Sequence, residues 1–371
     1  MIDNLPNGWR IKEYTKVFKD VTSGKKKIPT NDYLEKGNIA VIDQGQRYIS
    51  GYTMIKEAEN CDEPVIIFGD HTRALKYIDF NYAIGADGVK VLKNIEPNSS
   101  SKFLYYLLKN SHIPNTGYNR HFKYVKRLEF LIPPLQQQEK IVKVLDLTSN
   151  LIEKQKELLE KYDLFLKSKF IEMFGDPISN PMGWEVVKLG NYGTLARGKS
   201  AHRPRNAPFL YGGKYPFIQT GDITKKGSIY LRDFKQTYSE EGIKQSKLFS
   251  ENTIAITIAA NIGDAKVLSF DCYFPDSVVG FNVEIPLFVV YLLSFYKYKL
   301  EQESTQTAQK NINLQVLNNL DVIKPEIELQ NKFASIVEKI ETIKEKENQK
   351  LKQFEDLHNS MMNKAFKGEI K

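Results

Sequence analysis

The chain's most suggestive chemical motif is Gly193-Thr194-Leu195-Ala196-Arg197-Gly198-Lys199-Ser200, which satisfies GxxxxGK[ST], the spacing of a phosphate-cradling loop. Such a loop must follow a strand and open a helix whose first amides face the phosphates. Here it runs into Ala201-His202-Arg203-Pro204-Arg205-Asn206-Ala207-Pro208, where two prolines oppose that helix, and Thr22-Ser23-Gly24-Lys25 in the first half lacks the leading glycine. A nucleotide-binding enzyme is therefore a remote alternative, and the stretch reads as a basic turn. Asp70-His71-Thr72 could suggest a hydrolytic pair, but no nucleophile or oxyanion loop accompanies it. GxGxxG, GxSxG and HExxH patterns are missing, as is an Asn-Pro-Pro-Tyr-type loop for holding an extruded adenine. Two cysteines, Cys61 and Cys272, and five scattered histidines offer neither a disulfide framework nor zinc-ligand spacing. The cysteine usage suits a cytoplasmic protein. The opening residues lack the apolar core of a secretory signal, and the longest apolar run, 288–296, is too short to span a bilayer.

Charge is more informative than any motif. Residues 1–132 carry 20 Lys+Arg against 15 Asp+Glu, and residues 176–324 carry 17 against 14. Residues 133–175 and 325–371 balance, at 7 against 7 and 9 against 9. The whole net charge of +8 thus sits in two segments separated by neutral ones, a distribution suited to binding a polyanion such as DNA. A coiled-coil scaffold without a nucleic-acid role is the competing reading, against which this division argues.

The elements that would position such charges come in duplicate. Pro133, Gln138, Lys140, Lys154, Leu159, Ser168 and Phe174 recur 192 positions later as Pro325, Gln330, Lys332, Lys346, Leu351, Ser360 and Phe366. Upstream, Pro6-Asn7-Gly8-Trp9 recurs as Pro181-Met182-Gly183-Trp184 at an offset of 175, so the second globular segment is longer while the helices keep their length. Trp9 and Trp184 read as core anchors closing each globule. Short apolar runs at 39–42, 65–68, 89–92 and 128–132 read as strands, with a helix around 102–109; 253–259 and 287–298 are their counterparts.

Pro133-Pro134 and Pro325 mark helix starts, and Gly175 and Gly368 mark ends. Apolar doublets recur every seven residues as Val144-Leu145, Leu151-Ile152, Leu158-Leu159 and Phe165-Leu166. The second helix continues the stripe through Phe333, Ile336, Val337, Ile340, Ile343, Leu351, Phe354 and Leu357. The expected fold is α+β: target-reading domains at 1–132 and 176–324, spacer helices at 133–175 and 325–371, and a pseudo-two-fold internal repeat. The stripes should pair within the chain as an antiparallel coiled coil, tethering being favoured over pairing between two copies.

The order of globule, Ile132-Pro133-Pro134-Leu135-Gln136-Gln137-Gln138, long helix and second copy resembles the DNA-specificity subunit of type I restriction-modification systems. The Gly221-Asp222-Ile223 turn, the Gln309-Lys310-Asn311-Ile312 segment and the ending Ser360 to Ala365-Phe366-Lys367-Gly368-Glu369 are similar to that family too. The second copy reads Lys324-Pro325-Glu326-Ile327 where the first has Pro-Pro-Leu, and the first lacks the Gly-Asp-Ile turn. The resemblance implies two domains each reading half of a bipartite double-stranded DNA target, with the helices as ruler. It also implies no catalytic residue, cofactor or metal in this chain. S-adenosylmethionine would belong to two methyltransferase subunits, and ATP with Mg to restriction subunits. The specificity subunit of a bifunctional type II complex shares the same pattern. On this basis the candidate DNA contacts are Arg47, Tyr48, His71, Arg73, Arg120, His121 and Lys123 in the first domain. In the second they are Arg197, Lys199, His202, Arg203, Arg205, Lys225, Lys226, Lys310 and Asn311.

Overall fold

A computed structural model describes residues 7–225, 227–305 and 311–370. The chain divides into two compact units, Met1–Lys154 with Leu351–Lys371, and Gln155–Lys350. Each unit therefore combines one globule with part of each long helix.

In the first unit, strands Phe18–Asp20, Val89–Asn94, Val65–Gly69 and Leu75–Ile78 form an antiparallel sheet in that spatial order. A second sheet orders Lys27–Ile28, Tyr82–Gly85, Ile39–Ile42 and Gly51–Thr53, the first three parallel and the last antiparallel. The run Val65-Ile66-Ile67-Phe68 is apolar throughout because both its faces are covered. Ile66 and Phe68 join the core beneath the helix Ser101–Asn110, and Val65 and Ile67 pack towards Ile42, Tyr82 and Ile84 of the second sheet. The two-residue side-chain period of a strand produces this division.

The second unit uses the same device. Ile254 and Ile256 face the core shared with the helix Pro286–Thr305, while Ala255 faces the one containing Ile218, Leu268 and Phe274. Its sheets are Gly193–Arg197, Val278–Val283, Ile254–Thr257, Ala265–Leu268 and Tyr230–Leu231, and Gln236–Tyr238, Tyr211–Phe217, Cys272–Tyr273 and Leu248–Phe249. Each globule is closed by a two-stranded pair, Arg10–Glu13 with Glu129–Ile132 and Val186–Lys188 with Asp321–Ile323. Trp9 is buried; Trp184 is half-buried and donates from Nε1 to the Phe174 carbonyl at 2.8 Å. The GxxxxGK[ST] match opens as the strand Gly193–Arg197, paired with Val279–Val283, and no helix follows Ser200 before one short turn at Pro208–Leu210. It is not a phosphate loop.

The long helices are Leu135–Phe174 and Ile327–Phe366, each 40 residues and therefore about 60 Å long. The repeated glutamine explains their common start. The buried Gln138 amide donates to the Pro133 and Asn98 carbonyls and accepts from the Ser100 amide, and buried Gln330 donates to the Pro325 carbonyl at 2.7 Å. At the other ends Gly175 and Gly368 adopt φ of +73° and +76°, the left-handed region that glycine supplies cheaply after a helix.

Within each unit the two helix segments run antiparallel. In the first, Ile141 and Leu145 share a core with Met362 and Ala365, and Thr148 hydrogen-bonds His358 at 2.7 Å. In the second, Phe170 and Phe174 meet Phe333 edge-on at 5.3 and 5.7 Å. There Gln155 also donates to Glu347, and Lys344 bridges Asp163 and Glu341 at 2.6 Å each.

The apolar stripe is narrower than the doublets imply. Leu145, Leu166, Phe333 and Val337 are buried, and Val144, Leu151, Ile152, Leu158, Leu159, Ile336, Ile340, Leu351 and Phe354 are half-buried. Phe165, Ile343 and Leu357 are 48%, 38% and 40% exposed and do not belong to the seam. Adjacent residues on a helix point about 100° apart, so a doublet straddles the seam: both members are half-buried in Leu151-Ile152 and Leu158-Leu159, and only Leu166 of Phe165-Leu166 is buried. Polar pairs, Thr148 with His358 in the first unit and Gln155 with Glu347 in the second, also enter the seam, which doublet spacing could not reveal.

Phe170, fully buried among Phe174, Phe288, Phe295 and Phe333, should be the most sensitive position in the second unit's helix pair. Phe170→Ala is expected to lower stability by about 3–5 kcal/mol in urea unfolding. Burial, reinforced by the charge of Lys109, lowers the His358 pKa, so the folded chain holds a neutral imidazole. Its contribution is therefore complete above the free value near ~6.5 and is lost as pH falls through the folded pKa. His358→Gln should flatten the acid side of the melting-temperature profile; an unchanged slope would show that His358 does not set it.

Candidate nucleic-acid interface

The strand registers bring a defined set of loops to one end of each globule. In the first unit, Gly69 pairs with Val89, and Ile42 pairs with Ile84, so the loops at 43–50, 70–74 and 86–88 leave from neighbouring strand ends. The segment 114–121 joins them, because the His121 amide donates to the Asp70 carbonyl at 2.8 Å. In the second unit Thr257 pairs with Val278, Arg197 with Val279, and Phe217 with Tyr273. This groups the loops at 198–207, 258–264 and 274–277. The Ile312 amide, donating to the Ile258 carbonyl at 3.1 Å, adds the segment beginning at Asn311. The short helices Phe122–Val125 and Leu314–Asn318 then start 192 residues apart.

Several nominated residues meet in the first cluster. His71 takes its amide partner from Gln44 Oε1 at 3.3 Å and stacks on Tyr118, while Thr72 donates to the Gln44 carbonyl. Gly88, at φ +85°, lies so close to the Gln44 side chain that a Cβ would collide with it. Arg47 and Arg120 are exposed. Lys123 is exposed too, its ammonium 5.1 Å from the Tyr124 ring centre. Tyr48 is half exposed but donates to the Tyr77 carbonyl, and burial of its hydroxyl, with Asp79 nearby, pushes its pKa up to about 12.

Two nominees serve the scaffold instead. His121 is fully buried, with Nδ1 2.9 Å from the Asp70 carbonyl and Nε2 facing the Thr116 amide at 3.4 Å; it cannot touch a duplex from there. Arg73, at φ +60°, spends one guanidinium nitrogen on the Ile113 carbonyl at 3.1 Å and anchors the neighbouring loop. Sequence shows residue type but not solvent access, which separates His71 from His121.

In the second cluster the basic stretch folds around Asp276. Arg197 Nε donates to its carbonyl at 2.6 Å, and Arg205 pairs with its carboxylate at 2.7 Å. Arg203 donates from Nη1 to the Ser200 and His202 carbonyls, at 2.7 and 2.8 Å. His202 meets the exposed Phe209 edge-on, and Lys199 is exposed. Asn311 is exposed and bridges to Ala259. Lys225 stands apart in a cleft of about 500 Å³ that also holds Arg232, Lys235 and Lys266. Burial, then the charge of Lys225, lowers the Lys266 pKa. Nothing in the sequence spacing connects these three cleft residues with Lys225. Lys226 and Lys310 lie outside the described residues. Among those described, no group of His, Cys, Asp and Glu could hold a metal, and no helix is long and apolar enough to cross a membrane.

The arrangement is one of surface readers: converging polar and cationic loops on rigid sheets, borne by paired helices. The model of the type I restriction modification DNA specificity domain matches residues 6–161 and again 181–353. The chain belongs to that family. It is 27% identical over 323 residues to a Haemophilus influenzae protein described as a putative type I restriction enzyme specificity subunit, covering 80% of this chain and 78% of that one. It is likewise 27% identical to a putative type I specificity subunit of Methanocaldococcus jannaschii, over 67% of this chain but only 60% of the relative's length. The crystal structure of a type I restriction-modification S subunit from M. genitalium matches the fold across 98% of both chains, with a TM-score of 0.53 at 17% identity.

His121 should act through the shape of its loop. His121→Ala is expected to cost about 1–3 kcal/mol through unpaired buried groups. It should also raise hydrogen-exchange rates at 114–121; unchanged exchange would contradict the pinning role.

Proposed function

We propose that this chain is the DNA-specificity subunit of a type I restriction-modification complex, with each globule reading one half of a bipartite duplex target. The carrying observation is that both units place loops bearing exposed cations, Arg47 and Arg120 in one and Lys199, Arg203 and Arg205 in the other, on the corresponding end of a two-sheet scaffold, while the long helices carry no net charge. Cations at loop ends supply sequence-independent phosphate affinity, and side chains such as Arg120, His71, Lys199 and Arg203 supply base-edge donors. The helices fix the separation of the two half-targets and present docking surfaces to two methyltransferase subunits. The chain contributes recognition rather than chemistry. Methyl transfer from S-adenosylmethionine, and any ATP- and Mg-dependent restriction, belong to partner subunits acting in the cytoplasm.

Fluorescence anisotropy with the cognate duplex tests the reading. Affinity should fall steeply with salt, and Arg120→Ala or Arg203→Ala should each weaken binding by about 1–3 kcal/mol where the lost contact is to a base edge. Salt-independent binding, or none, would contradict it. The ruler role has its own test. Matched seven-residue deletions in both long helices, each removing about 10 Å, should change the spacer between the half-targets in the cell's methylated-adenine map. An unchanged spacer would remove the ruler.

A further inference from the structure

Among the described residues no large hydrophobic side chain is more exposed than Tyr118, at 88%. Its ring is nonetheless held. It lies flat on the His71 imidazole, with centroids 4.8 Å apart and planes 11° from parallel. The turn beneath it is fastened at several points. Gly117 adopts φ +75° and donates to Asn115 Oδ1 at 3.2 Å. Asn119 donates from its amide to the Gly117 carbonyl at 2.9 Å and from its side chain to the Thr116 carbonyl at 2.5 Å. Buried His121 faces Thr116, and Arg73 holds the Ile113 carbonyl. The His71 backbone N–H donates to Gln44 Oε1 at 3.3 Å, and its Nδ1 is buried with no partner among the described residues.

A rigid loop that presents an aromatic ring with one face backed by imidazole and the other open to water holds one half of a stack. Hydrogen bonding gives no reason for the exposure, because no partner among the described residues holds the Tyr118 hydroxyl. Charge gives none either. Base edges in an intact duplex are read by polar groups, whereas a bare ring is matched by the face of a base, which becomes accessible only where neighbouring base pairs separate. Resting on the DNA-recognition reading, we propose that Tyr118, backed by His71, stacks on a nucleobase face exposed at an unstacked step of the first half-target. Tyr118 is then a stacking residue, while Arg120 and its neighbours read edges and phosphates.

The test uses the full chain and its cognate duplex, defined by the methylated-adenine map, with 2-aminopurine placed in turn at each position of the first half-target. Unstacking raises the fluorescence of that base. Binding should therefore raise the signal at the base that loses its stacking neighbour to Tyr118, while the base stacked on the ring stays quenched; Tyr118→Ala should abolish the rise and weaken binding by about tenfold or more. Tyr118→Phe should keep both, since the ring and not the hydroxyl does the work. Equal thermal melting of all three proteins excludes a folding effect. If Tyr118→Phe loses as much as Tyr118→Ala, the hydroxyl is the contact and the stacking proposal is overturned. It is overturned alone if Tyr118→Ala binds like the parent with an unchanged signal. Failure of the parent chain to bind the duplex would overturn the underlying reading as well.

Discussion

Each unit depends on a helix segment that can bury only one stripe and must use it twice, against its own globule and against a segment of the other long helix. In each unit the helix pair shares an apolar core with its globule. Phe170, Phe174 and Phe333 are fully buried, the first two meeting Phe333, each other and Phe288, so truncating any of them leaves a cavity in a shared core. The polar part of the seam does different work. Lys344 between Asp163 and Glu341 gains little net stability over an apolar replacement, because desolvation of the charges offsets most of their attraction. Removing Lys344, however, strands the buried Glu341 carboxylate without its ion-pair partner. The pairing Thr148 to His358 and Gln155 to Glu347 is directional for the same reason: a slip of one residue would leave buried polar groups without partners. Apolar burial holds the segments together, and polar burial fixes which residues face each other.

The two units show what duplication kept and what it released. The alternating double-faced strand, the buried glutamine at the helix start, the closing strand pair and the short helix after the reader loop occur in both. The sheet edges differ. Lys27–Ile28 lies parallel to Tyr82–Gly85, whereas Leu248–Phe249 lies antiparallel to Cys272–Tyr273, and Tyr230–Leu231 extends only the second unit's larger sheet. Loop chemistry differs most. The first unit presents His71 and Tyr118, and the second a run of arginines gathered on Asp276. Scaffold residues are held by many contacts and loop residues by few, which lets one fold carry two different loop surfaces.

Much of this architecture was legible in the sequence because it rests on strong local signals. Prolines and glycines bracket the long helices, and a gapless repeat identifies their equivalent positions. The candidate site was less legible, because exposure is a tertiary property. His71 and His121 look alike in sequence, yet one lies beneath an open ring and the other is sealed against Asp70. Arg73 is basic but tied to backbone, and Tyr118 sits in a glycine- and asparagine-rich turn that reads only as a turn. Phe165, Ile343 and Leu357 fit the seven-residue pattern yet face water, because periodicity gives a helix face and not the angular width of its partner.

The central claim is that two readers held at a set separation define one interrupted target. It is tested most directly by mapping methylated adenines in cells that carry this chain with its methyltransferase and no other specificity subunit. The account predicts one motif of two short specific halves separated by an invariant number of unspecified base pairs. A single uninterrupted motif, or halves at variable separation, would contradict it.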